Sequence, residues 1–344
     1  MVDLTLSQRS RQILEAIVED YIATAEPVGS SAVARRHAMP VSSATVRNVM
    51  ASLEELGLLA SPHTSAGRIP TDKGFRFYVD SLVGVRPITH TEKKEILKRC
   101  RETGGNLTDL LREASRTLSS LSNYTGFVVA PRFGNATFRQ IEFIALGGRR
   151  VLAILVTCSG AVQNRIIEVE RDYTADELGR MSSYLNSTLE GLSISQVRSR
   201  IMAEMEQDKN HYDQMLTNAL NLSNLALPED QQELYLSGQA RILDQPEFSD
   251  VRKMRELFQA FEEKGRLLQL LGDCLQAKGV RIFIGSETPL QEMAGMSLIT
   301  STYMTDQNTI GVMGVIGPTR MGYSSVIPIV DYTAQMVSRL LTER

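Results

Sequence analysis

The side chains best suited to chemistry in this chain cluster between Ser42 and Leu56, in the run SSATVRNVMASLEEL. At about 100° per residue, Val46, Val49, Met50, Leu53 and Leu56 fall on one side of a helix. Ala44, Thr45, Arg47, Asn48, Ala51 and Ser52 fall on the other, which is short, polar and free of acid until Glu54 and Glu55. These are the groups that read nucleic-acid bases. Arginine pairs with guanine and asparagine with adenine through two bonds each, and small neighbours allow close approach to the groove floor. Ser42 and Ser43 stand at the start of the helix, where its free N–H groups can hold a phosphate.

A second polar group follows. Leu58 to Ser61 and Arg68 to Ile69 read as the arms of a small hairpin. Its connecting turn is Pro62-His63-Thr64-Ser65-Ala66-Gly67. The tip carries His63, Thr64 and Ser65, Arg68 emerges directly after Gly67, and Lys73 and Arg76 lie on the next helix. Such a tip suits the sugar-phosphate backbone or the minor groove. Over this span Arg35, Arg36, Arg47, Arg68, Lys73 and Arg76 outnumber Glu54, Glu55 and Asp72. Each part alone also fits a solvated surface; together they favour DNA. The candidate DNA-binding residues are therefore Ser42, Ser43, Thr45, Arg47, Asn48, Ser52, His63, Thr64, Ser65, Arg68 and Lys73.

Several elements must hold these groups. Ser7 is placed to cap a helix lined by Ile13, Leu14, Ile17, Val18 and Tyr21. Glu26-Pro27-Val28-Gly29 breaks it, and Ser30 is placed to cap a second helix ending at Arg36. Residues 38–41 form the turn into the Ser42–Leu56 helix, which stops at Gly57. Thr71 caps a fourth helix with Phe75, Tyr78, Val79 and Leu82 on one face. The pattern predicts a winged helix-turn-helix over residues 1–85 and a charged connector over 86–105. An amphipathic helix through Leu107, Leu110, Leu111, Ala114, Leu118 and Leu121 comes next. Strand-like runs follow at 126–130, 139–146, 151–157 and 162–169, the last three as an antiparallel meander. Residues 174–277 read as largely helical and methionine-bearing. Strands return at 280–284, 298–304 and 310–316, and a helix at 332–341. The expectation is an α+β multidomain chain: an α+β domain over 106–171 and 276–344, interrupted by a mostly helical insertion over 172–275.

Bulk properties limit the alternatives. With 344 residues, 42% hydrophobic and 22% charged, the chain can fill several cores. Its net charge of -3 excludes a general basic coat, so any DNA affinity must be local. No apolar run is long enough to cross a bilayer, and there is no charged-then-apolar leader at Met1; a cytoplasmic location with no membrane partner is expected. Cys100, Cys158 and Cys274 lack metal or disulfide spacing and read as buried thiols, and His37, His63, His90 and His211 are scattered. Neither a metal nor another cofactor is expected. Gly147-Gly148 and the segment 284–288 match no phosphate loop and read as turns. No nucleophile–base arrangement is suggested by position, so an enzyme is not expected. A small-molecule-sensing regulator, with its ligand in the α+β domain, is the alternative.

Three segments carry a specific resemblance: Tyr21-Ile22-Ala23-Thr24-Ala25-Glu26-Pro27-Val28-Gly29-Ser30, Ser42-Ser43-Ala44-Thr45-Val46-Arg47-Asn48, and Pro62-His63-Thr64-Ser65-Ala66-Gly67-Arg68-Ile69-Pro70-Thr71. Together they resemble the heat-inducible transcription repressor HrcA family. The resemblance implies a GAF-like α+β domain carrying a dimerising insertion. It implies a repressor of chaperone operons that binds an inverted-repeat operator, CIRCE, as a homodimer. It also implies activity modulated by the GroEL chaperonin and lost on heat stress. The family's DNA-contacting helix falls on Ser43 to Leu56 and its wing on Leu58 to Ile69. A dimer has a physical basis, because two copies related by a two-fold axis match an inverted repeat. Met202, Met205, Met215, Leu216, Leu220, Leu267, Leu268, Leu270 and Leu271 are candidates for its interface; the competing assignment is their own domain's core.

Overall fold

In the computed structural model, residues 6–343 are described apart from 38–40, 64–66, 104–106, 132–136, 159–161, 208–213, 228–232, 249–253, scattered positions between 256 and 294, and 306–307. The N-terminal elements are α1 (Gln8–Thr24), α2 (Ser30–Arg36), α3 (Ser43–Glu55), β1 (Leu59–Ala60), β2 (Ile69–Pro70) and α4 (Asp72–Ser81). Ser7 caps α1 by accepting from the Ser10 amide, and Thr71 caps α4 through the Gly74 amide. At α2 the cap is Gly29, without a side-chain bond, where the sequence had pointed to Ser30. Ile13, Leu14, Ile17, Val18, Val33, Val46, Met50, Leu53, Leu58, Phe75 and Tyr78 are buried as the core of this module. Their spacing on α1 and α3 fixes which side of each helix faces inward.

The connector helix α5 (His90–Arg101) begins at a capping box between Thr89 and Glu92. Helix α6 (Leu107–Ser122) leads into β3 (Thr125–Val129). Strand β3 sits inside a five-stranded antiparallel sheet with β7 (Leu234–Ser237), β8 (Val280–Ile284), β9 (Met296–Thr305) and β10 (Asn308–Pro318), in the order β7-β3-β10-β9-β8. Phe127, Val129, Met296, Leu298, Val312 and Ile316 form one core of this sheet with Leu257, Phe261, Leu267 and Leu271. The final helix α10 (Tyr323–Thr342) packs along β9.

Strand β4 (Phe138–Ala145), β5 (Arg150–Thr157) and β6 (Val162–Glu168) form the expected meander, but as a separate three-stranded sheet. Helices α7 (Ala175–Leu189), α8 (Ile194–Gln207) and α9 (Gln214–Ala226) share its core, through Leu178, Met181, Leu185, Val197, Ile201 and Leu220. The chain accordingly divides into two compact units. One holds residues 1–104, 108–129 and 234–342; the other holds 130–233 with 105–107 and 343–344. The contact division falls near 130 and 233 where the expected limits are 172 and 275, because the meander of β4, β5 and β6 packs with the helices that follow it. Alternation along a strand shows which face is buried, but not which sheet the strand joins.

The terminal helix also starts earlier than the 332–341 reading, because Pro328 lies inside it. Proline lacks the N–H that would bond the carbonyl four residues back. That carbonyl, on Ser324, instead accepts the Arg86 amide at 3.2 Å. Among the described residues no helix is long and apolar enough to cross a membrane. Cys100 is buried and its thiol is pushed up to about 12 by that burial, whereas Cys158, expected inside, is exposed.

Candidate nucleic-acid interface

Ser42 is the N-cap of α3, accepting from the Thr45 amide at 3.2 Å, and its hydroxyl lies 3.0 Å from that of Thr45. Val46, Met50 and Leu53 are buried, while Ser43, Ala44, Arg47, Asn48, Ala51 and Ser52 are exposed. The polar set read from the sequence thus lies together on one open helix face. Leu56 departs from the buried set: it is the C-cap residue and 38% exposed. Gly57 follows with φ +72°, and its amide and that of Leu58 return to Glu54 and Leu53 carbonyls at 2.9 Å. This left-handed closure turns the chain directly into the wing.

The wing is a small sheet. β1 pairs antiparallel with β2, Leu59 opposite Pro70 and Ala60 opposite Ile69. A third piece joins it: Val28, before α2, exchanges both backbone hydrogen bonds with Arg68 at 2.9 Å. Gly67 makes this approach possible, since a Cβ there would lie 2.4 Å from the Val28 carbonyl oxygen. His63 is exposed, and its carbonyl accepts the Ser61 hydroxyl at 2.8 Å. Thr64 and Ser65 lie outside the described residues.

The cations counted in the sequence divide sharply once placed. Arg35 donates to the Ser31 carbonyl at 3.3 Å, and Arg36 pairs with Asp20 at 3.4 Å. Arg68 donates Nε–H to Glu54 Oε2 at 2.9 Å and Nη1–H to Ser61 Oγ at 3.1 Å. Lys73 donates to the Leu56 carbonyl at 2.9 Å, at the negative end of α3. Arg76 faces away from the wing: it bonds the Ile282 carbonyl at 2.6 Å and pairs with Glu287 and Asp80. Among the described residues, only the Arg47 guanidinium of this group makes no intramolecular bond, and Arg47 and Asn48 are both exposed. The structure therefore brings Ser42, Ser43, Thr45, Arg47, Asn48 and Ser52 together, with His63 at the wing. It gives Arg68 and Lys73 internal partners.

Two supporting residues escape a reading of the sequence as a basic surface. Glu54 there counts only as an unwelcome acid, yet it is the anchor of Arg68. Its position offers a signal, because an acid in the last turn of a helix opposes the helix dipole and gains from a cation partner. Thr71, recognised as a cap, also donates its hydroxyl to the Gly57 carbonyl at 2.7 Å, tying α4 to the end of α3.

The winged helix rests on the five-stranded part of the same compact unit. Asp72 accepts the Ser286 amide at 2.8 Å, and Arg320 caps α1 by donating to the Ile22 carbonyl at 3.2 Å while it pairs with Glu247. Tyr21, Phe75 and Tyr323 form a chain of tilted rings 6.2 and 6.3 Å apart. The segment 284–288, read as a turn, is this docking ledge.

Comparison with known proteins follows the same division. Residues 4–79 match the model described as winged helix-turn-helix transcription repressor, HrcA DNA-binding, and residues 108–327 match that of the HrcA protein C terminal domain. The heat-inducible transcription repressor HrcA of Geobacter sulfurreducens is 59% identical, covering 98% of each chain. Those of Syntrophobacter fumaroxidans and Xylella fastidiosa are each 42% identical; both cover 98% of this chain, and 98% and 96% of the relatives. A crystal structure described as that of a hypothetical protein superposes with a TM-score of 0.66 at 22% identity, over 98% of this chain and 99% of that one, and so shares the fold. An exposed polar helix face, a wing braced against it and these matches along nearly the whole length place the chain in the HrcA family of heat-inducible transcription repressors, with a winged helix as its DNA-binding domain.

Proposed function

We propose that this repressor binds an inverted-repeat operator of the CIRCE type as a homodimer. In this reading α3 enters the major groove and the wing contacts the flanking backbone. One observation carries it: Arg47 and Asn48 are the pair left open on α3, while the neighbouring cations serve the protein's own architecture. A surface with so little free charge gains little from phosphates, so its affinity must come from base contacts and from a second copy. Ser42, Ser43, Thr45 and Ser52 line the same face, and His63, Thr64 and Ser65 belong to the wing. Arg68 and Lys73 support the surface from within.

The family resemblance further supports chaperone operons as targets, GroEL as the partner that assists the active form, and a cytoplasmic location. No catalytic role or cofactor is proposed. Footprinting of the full-length protein on chaperone promoters, with and without GroEL, tests the reading. Symmetric protection of an inverted repeat, extended by GroEL, is expected. Protection spread evenly along the promoter would refute operator recognition.

A further inference from the structure

Glu54 is hard to account for on a surface that approaches DNA. It repels phosphates, and it stands in the last turn of α3, where the helix's own carbonyls disfavour negative charge. Its surroundings supply the reason. Arg68 places both Nε and Nη2 2.9 Å from Glu54 Oε2, and its remaining arm reaches Ser61 Oγ at 3.1 Å. Ser61 passes the link on, donating to the His63 carbonyl at 2.8 Å. The backbone of Arg68 is itself fixed by its two bonds to Val28. One arginine therefore ties together the recognition helix and the two arms of the wing through its guanidinium, and the segment before α2 through its backbone. We propose that Glu54 is a positioning residue for operator recognition: through Arg68 and Ser61 it fixes the wing at one angle to α3. Arg68 is then the strut of this arrangement, not a phosphate ligand.

The chemistry of the pair favours this role. A planar fork meets one carboxylate oxygen through two N–H groups and keeps a third for the serine, a geometry that lysine cannot copy. Paired with Glu54, Arg68 adds no net charge toward the DNA, so it releases no counterion when DNA binds. Two surfaces held at a fixed angle lose less conformational freedom on binding than two that must be ordered.

This inference rests on the reading of α3 and the wing as one DNA surface, and the experiment separates the two. The full-length protein is titrated by fluorescence anisotropy with the inverted-repeat duplex it selects from a random pool, and with a scrambled duplex, across a range of salt. Glu54→Gln, Arg68→Lys, Arg68→Gln and the double Glu54→Gln/Arg68→Gln are compared. Each single change is expected to lower the preference for the selected duplex by about tenfold, with the double change no worse than the weaker single. The slope of log affinity against log salt should stay at the wild-type value in all four. Two results overturn the inference: Glu54→Gln binding as well as wild type, or Arg68→Lys keeping wild-type affinity while Arg68→Gln lowers the slope by about one charge. If the arginine variants fail to fold, Glu54→Gln decides alone, since it is isosteric and leaves the Arg68–Val28 pairing in place. Wild-type protein with no preference between the duplexes would instead sink the DNA reading itself.

Discussion

Arg47 and Asn48 are neighbours in sequence, but their value lies in what they lack, since among the described residues neither side chain has an intramolecular hydrogen bond. Each can make a two-point contact with a base edge, and loss of one such contact removes about 1–3 kcal/mol of discrimination. Arg47→Ala and Asn48→Ala are therefore expected to weaken binding to the selected operator by that amount and to flatten base preference. Parallel titrations with operator and scrambled duplexes check this; equal losses on both would argue against base reading. Gly67 acts by absence in another sense. A methyl group 2.4 Å from the Val28 carbonyl must push the wing strand off its partner. Gly67→Ala is expected to destabilise the protein by about 1–3 kcal/mol, read as a lowered Tm together with weaker operator binding. At this scale the sequence was informative wherever the deciding contact is local. The caps at Ser7, Ser42 and Thr71 lie within three residues of the amides they satisfy. It was uninformative where the partner is distant: nothing near Arg76 in the chain announces Glu287.

The three-stranded sheet shows what an element can add. Its inner face is filled by α7, α8 and α9, and the edge of β4 is closed by side chains of α7. Asn186 exchanges two bonds with the Ile141 backbone, at 2.7 and 3.1 Å, and Ser182 accepts the Phe143 amide. Such closure prevents edge-to-edge association. The outer face is different. Across the register Leu152 stands between Ile144 and Ile166, and Val156 beside Val162; Ile154 lies between Leu152 and Val156 along β5, flanked by Glu142 and Asn164. Val162 and Ile166 are 63% and 57% exposed. Contiguous aliphatic side chains on an open face are of the kind that mark association surfaces, and the proposed homodimer predicts that a two-fold copy of the same face covers this one. Of the helical candidates for the interface, Leu220, Leu267 and Leu271 are instead buried in their own cores, Leu268 is packed against one, and Met202 is 52% exposed. The side chains of Met205, Met215, Leu216 and Leu270 lie outside the described residues. Ile166→Lys is expected to shift a dimer toward monomer in sedimentation velocity, with operator affinity falling in step and Tm held within a few degrees. A dimer that tolerates the lysine would move the interface elsewhere. The pattern of exposed aliphatics was present in the sequence of β6, but only strand pairing shows that it continues across β5 and β4.

For the molecule as a whole, the position of the reading head depends on how the winged helix is seated on the five-stranded sheet. The aromatic chain Tyr21–Phe75–Tyr323 supplies apolar contact, and the polar pairs around it set orientation. Arg76 is central, because its bonds to the Ile282 carbonyl and to Glu287 cross from α4 to β8 and to the ledge that follows it. Burial alone would raise the Glu287 carboxyl; the Arg76 hydrogen bond, the Ile284 amide and the Arg76 charge together outweigh it and hold the group below the usual carboxylate range. A carboxyl whose pKa is depressed by folding contributes stability above its unfolded pKa, near 4.3, and loses it as pH falls through the lower folded value. The docking should therefore be at full strength at neutral pH and weaken in acid. Because the pair is partly open to solvent, its contribution is about 1 kcal/mol. Glu287→Gln is expected to lower Tm modestly at pH 7 and to narrow its gap to wild type as the pH approaches 3. The comparison must be made between the two proteins at each pH, since Glu92, held down at about 2 first by the Arg86 hydrogen bond, titrates alongside in both. A gap that stays constant from pH 7 to pH 3 would show that the Glu287 charge does not secure the winged helix. Seating would then rest on the rings and on the backbone bonds to Ser286 and Ile22.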